Sequence, residues 1–123
     1  LITLTVKRIY EMADENNSEA TELVSITDWN DESSLRCYGR GNQLILEGYF
    51  PIENEFFKYV IAHKDSIDNS IVLFKPDSVN DEIQVSKDEF FSAKEVETIF
   101  RIFFKDRILD PNIYELRKKN YIF

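Results

Sequence analysis

At 123 residues the chain has room for one domain with a single core, and not for two ordinary ones. Hydrophobic residues at 43%, with 14% aromatics, exclude a chain that is disordered throughout. Fifteen basic against 23 acidic residues leave a net charge of −8; such a surface repels nucleic acid and anionic membranes, and it complements a basic protein partner unless the charge serves solubility alone.

Cys37 is the single cysteine, so no disulfide forms within the chain, which fits a reducing cytosol. No apolar run approaches the roughly 20 residues that span a bilayer, and no signal peptide is evident. The expectation is a cytoplasmic protein.

In chain order, Ile2, Val6, Ile9, Tyr10 and Ala13 lie near helical spacing, which predicts a helix from about Thr5 to Asp14. Asp14 to Glu19 is a polar loop, Thr21 to Ile26 a strand, and Thr27 to Ser34 an acidic turn-rich loop carrying Trp29. Leu35–Gly39 and Gln43–Phe50 form a hairpin through Gly39, Arg40, Gly41 and Asn42. Its second arm sends Leu44 and Leu46 one way and Gln43, Ile45 and Glu47 the other. Phe56 to His63 fits helix or strand by spacing, and its β-branched and aromatic content favours strand. Ile71 to Lys75 is expected as a buried strand, with Ile83 and Val85 on a short edge segment.

Ser92 to Arg107 is the clearest helix. Ser92 and Glu95 have capping-box spacing, and Val96, Ile99, Phe100 and Phe103 make one apolar stripe. Ile102 and Phe104 widen that stripe, which predicts burial on more than one side. Asp110-Pro111 then breaks the chain, Ile113 to Leu116 forms a last strand, and Arg117 to Lys119 a basic tail. The sum is a single α+β domain over residues 1–123: an N-terminal helix, an antiparallel meander of about five strands, a main C-terminal helix and a closing strand.

The segment SAKEVETIFRIFFKDRILDPNIYEL resembles the close of small immunity proteins from bacterial polymorphic-toxin and contact-dependent growth inhibition systems. In that family an S-x-x-E-opened helix leads through a short turn and a Pro into the final strand, after an N-terminal helix and a strand meander. The resemblance implies a cytosolic protein that binds and neutralises one cognate toxin domain, commonly a nuclease or deaminase. It implies no particular contact residues.

Candidate chemistry is sparse. Asp28 and Asp31, like Asp65 and Asp68, stand three apart, yet neither pair has the Gly, oxygen spacing or closing Glu of a calcium loop; they read as turn residues. His63 is the single histidine, so no site needing two exists, and no Gly-x-Ser-x-Gly turn exposes a nucleophile. Cys37, flanked by apolar residues, reads as a buried inert thiol. Gly39-Arg40-Gly41 precedes no helix and reads as a turn rather than a phosphate cradle. No catalytic residue, metal or cofactor is expected.

Trp29 stands apart. Between Arg8 and Arg36 there is no basic residue, but there are eight carboxylates: Glu11, Asp14, Glu15, Glu19, Glu22, Asp28, Asp31 and Glu32. Either Trp29 is an aromatic anchor ringed by negative charge, as a binding hot spot requires, or it is tucked under its loop as core. A second acidic region runs through Asp65, Asp68, Asp77, Asp81, Glu82, Asp88 and Glu89. The leading expectation is a non-enzymatic inhibitor that covers the cleft of a basic, nuclease-type toxin with these carboxylates. The alternatives are an acidic adaptor domain and, less favoured, a small carboxylate-dependent hydrolase.

Overall fold

The computed structural model describes residues 2–17, 23–30, 32–52, 55–64, 68–74, 82–106 and 111–118. Helix α1 (Ile2–Ala13) is followed by strands β1 (Leu23–Thr27), β2 (Ser34–Arg40), β3 (Gln43–Ile52) and β4 (Glu55–His63). Then come β5 (Ile71–Phe74), β6 (Ile83–Ser86), a 3-10 turn (Lys87–Glu89), helix α2 (Ala93–Asp106) and β7 (Tyr114–Arg117). Five strands form one antiparallel sheet in the order β1-β2-β3-β4-β7, and β5 pairs with β6 in a separate two-stranded ribbon. The architecture is α+β, as the sequence predicts. Among the described residues, no helix is long and apolar enough to cross a membrane.

One face of the sheet carries the helices. Leu35, Cys37, Leu44, Leu46 and Ile61 pack there against Ile9 and Met12 of α1 and Val96, Ile99, Phe100 and Phe103 of α2. The capping box forms: Ser92 N–H donates to Glu95 Oε1 at 3.2 Å, and Glu95 N–H donates to Ser92 Oγ at 3.3 Å. Ile102 and Phe104, expected to widen the buried stripe, are exposed instead. The sheet meets α2 along one line only, and these two positions turn past it.

The opposite face is covered in part by the β5–β6 ribbon, whose Phe74 and Val85 pack on Tyr38, Ile45 and Val60. Strand β3 is therefore sandwiched, and Leu44 to Gly48 are buried without alternation. The ribbon corrects the expectation of a buried β5. Ile71 and Leu73 are 60% and 62% exposed, because a two-stranded layer on top of a sheet has an outer face of its own. The β2–β3 turn is tighter than expected: Arg40 pairs with Gln43, leaving Gly41 and Asn42 as the loop. Gly41 supplies a φ of +63° and Gly39 one of +119°, a region that disfavours any side chain.

At the far end the sheet is bound to the 3-10 turn by polar contacts. The Arg117 guanidinium grips Asp88 through two bonds of 2.8 and 2.7 Å and reaches Glu89 at 3.1 Å. Asp88 lies foremost among the groups that hold Arg117 even more firmly ionised than usual, against the opposing effect of burial. On β4, His63 lies between two partners, with Nδ1 hydrogen-bonded to the Asp88 carbonyl at 3.0 Å and Nε2 to Glu95 Oε2 at 2.6 Å. Burial alone would raise the Glu95 carboxyl, but the bonds from His63 and Ser92 outweigh it and hold the group below its ordinary range. His63 is thus a bracing residue between strand and helix.

Candidate functional site

The turn between β1 and β2 is built to present one side chain. Asp28 N–H donates to the Ser33 carbonyl at 2.8 Å, and Glu32 N–H donates back to the Asp28 carbonyl at 2.7 Å. The Asp28 carboxylate accepts from Asn30 N–H at 2.9 Å, closing an Asx turn. Glu32 takes a φ of +63°, which few residues other than glycine adopt. On this frame Trp29 is 86% exposed, which decides between its two readings: it is not core. Asp28 serves the turn as well as the surface, and Glu32 is exposed beside it. Asp31 lies outside the described residues.

The second acidic region does not assemble as expected. Asp65, Asp77 and Asp81 lie outside the described residues. Glu82 is exposed. Asp68 is committed locally: it accepts from the Ser70 amide and hydroxyl, which hold its carboxyl below the ordinary value, and it pairs with Lys87 at 3.6 Å. Asp88 and Glu89 are buried against Arg117, so they are unavailable to a partner without breaking that cluster.

A feature absent from the sequence reading lies next to the Trp29 turn. Cross-strand partners share a face, so the register Arg36↔Glu47 and Tyr49↔Lys58 places these four side chains together on the sheet face that the ribbon leaves partly uncovered. They line, with Gly48, a pocket of about 170 Å³. The row Thr27–Ser34–Tyr49–Lys58 runs across four strands, and the Trp29 turn departs from its first pair. Turn and pocket thus sit at the same end of the sheet.

Glu47 is only 2% exposed, and neither carboxylate oxygen has a hydrogen-bond partner among the described residues. Burial pushes its carboxyl above the ordinary range; Lys58, the nearby Tyr38 hydroxyl and Arg36 pull the other way. The Tyr38 hydroxyl favours the ionised form by proximity without completing a bond of good geometry. Alternation along β3 assigns Glu47 to the face away from α2, where the ribbon's Phe74 and Val85 pack on the neighbouring Tyr38, Ile45 and Val60.

Cys37 is buried, and desolvation pushes its thiol well above the usual value, which keeps it inert. Among the described residues, no group of three or more His, Cys, Asp or Glu side chains could hold a metal ion. What the arrangement can do is bind: a rigid aromatic tip with carboxylates beside it, next to a charged pocket. No family model, curated protein or solved structure matches the chain, so a functional reading rests on the turn and the pocket themselves.

Proposed function

We propose that this protein is a cytoplasmic immunity protein that binds a cognate toxin domain of basic, nuclease type and occludes its substrate cleft. The observation that carries the reading is Trp29, 86% exposed on a turn closed by its own backbone bonds. Holding a large apolar side chain in water has no benefit to folding, whereas a pre-placed indole lowers the ordering cost of association. Asp28 and Glu32 flank it, within a chain of net charge −8. Such carboxylates can stand in for substrate phosphates against the toxin's Lys and Arg, as electrostatic complementarity requires. The C-terminal resemblance to toxin-immunity proteins supports the same class. An acidic adaptor domain would use the same surface, and it differs in having no toxin to silence.

The test is kinetic. A candidate toxin domain encoded beside this chain should associate quickly at low salt and more slowly as ionic strength rises. Charge reversal at Glu32 should lower the on-rate, while Trp29→Ala should act on dissociation and weaken binding by about 2 kcal/mol or more. Urea stability of Trp29→Ala should stay within about 0.5 kcal/mol of the parent, as for other exposed positions. Unchanged affinity in Trp29→Ala, or a complex indifferent to salt, would remove the turn from the interface.

A further inference from the structure

The two edges of the five-stranded sheet are guarded differently. Strand β7 carries Glu115 and Arg117, and Arg117 is tied to Asp88 and Glu89. Strand β1, with the sequence LVSIT, carries no charge and no proline, and its register with β2 runs without a bulge. Charge, proline and bulges are the devices that keep an edge strand from pairing. Asp28 N–H donates to the Ser33 carbonyl, so alternation turns the backbone groups of Val24 and Ile26 toward β2 and those of Ser25 and Thr27 outward. Ser25 is exposed, and neither Ser25 nor Thr27 has a hydrogen bond on its outward groups.

We propose that β1 pairs antiparallel with β1 of a second copy of this chain, joining two sheets into one. The occupant follows from self-complementarity. A twofold axis through Ile26 sets Ser25 against Thr27 of the second copy and Thr27 against its Ser25, and each pair exchanges two backbone hydrogen bonds. In that register Val24 faces Asp28 of the second copy. Leu23 and Trp29, 38% and 86% exposed in the single chain, come beside one another across the axis. Along this run no acid opposes an acid, so the net charge of −8 resists approach only over a distance, where salt screens it. A strand from a basic protein would find no carboxylate between Leu23 and Thr27 to complement it. Pairing consumes the edge, so assembly closes at two chains. The dimer does not depend on the toxin-binding role given above. Where that role holds, toxin and second copy compete for the Trp29 turn.

The experiment uses the full chain alone. Sedimentation equilibrium from micromolar to millimolar concentration should show one chain passing to two, and added salt should strengthen the association by screening like net charges. Amide exchange followed by two-dimensional NMR should find Ser25 and Thr27 fast in the dilute chain and slowed in the dimer, with Val24 and Ile26 slow in both. Ser25→Pro removes an outward N–H and spares the bonds to β2, so it should weaken the dimer about tenfold or more. Ser25→Lys keeps the backbone intact and places a charge on the edge, and it should weaken the dimer as much should the proline variant fold poorly. A chain that stays single at millimolar concentration in high salt overturns the proposal, as does growth beyond two chains. A dimer that salt dissociates, or one in which Ser25 and Thr27 still exchange fast, also overturns it by placing the contact on another surface. None of these readouts involves a toxin domain, so a failure of the toxin-binding role would show separately, in the association kinetics.

Discussion

Replacing Arg117 with Ala should lower the free energy of unfolding by about 3–5 kcal/mol, the range for removing one partner of a buried ion pair. The side chains of Asp88 and Glu89 are 4% and 0% exposed, and Arg117 is the cation that both touch. Without it two buried carboxylates lose the guanidinium that both bond, and the uncompensated part of their desolvation is the source of the loss. Arg117→Lys should recover only part, because an ammonium cannot make the paired bonds of 2.7 and 2.8 Å that the guanidinium makes to Asp88. Asp88→Asn with Glu89→Gln in the Arg117→Ala background should restore stability relative to Arg117→Ala alone. Urea unfolding followed by circular dichroism would check all three; additive losses would show that the cluster is not coupled.

A loss of comparable size is expected in the helix core. Phe100→Ala and Phe103→Ala should each lower stability by about 3–5 kcal/mol, through lost burial and the cavity left behind. Both rings are essentially inaccessible, and Phe103 also lies against Phe50 at 5.9 Å between ring centroids. Arg101→Ala, one residue away on the outer face, removes only a half-exposed pair to Glu97 at 2.9 Å. Pairs of that kind contribute about 0.3–0.5 kcal/mol. Equal losses from all three substitutions in the same melts would mean that the buried face of α2 is misassigned.

The parts of this molecule legible from its sequence are those set by local spacing. Ser92 and Glu95 announce a helix start through a capping box, and Val96, Ile99, Phe100 and Phe103 name its buried face. Arg40 to Gln43 encodes a reversal through Gly41. What depends on distant segments was not legible. Alternation puts Glu47 on the outer face of β3, yet the ribbon of β5 and β6, which arrives from beyond β4, turns that outer face into a second interior. The same event explains Leu73, whose apolar character suggests burial although it lies on the ribbon's outside. Arg117 reads as part of a basic tail until β7 pairs with β4 and brings it to Asp88 and Glu89. A hint was available there: Ser86 and Glu89 repeat the S-x-x-E spacing of Ser92 and Glu95, and Glu89 Oε1 does accept from Ser86 N–H at 3.1 Å. For Trp29, composition alone left two readings, since neither a charge run nor an aromatic reveals whether a turn closes over its own side chain or beneath it.

The position of Trp29 also determines what light can report about this chain. It is the only tryptophan, and at 86% exposure its indole is already solvated in the native state. Its emission therefore changes little when the chain unfolds, and a melt followed at that wavelength would stay nearly flat while the sheet and helices are lost. The same insensitivity gives a clean signal of another kind. A blue shift of that single emitter records water leaving the tip, with no contribution from the core, so a docking partner announces itself without any label.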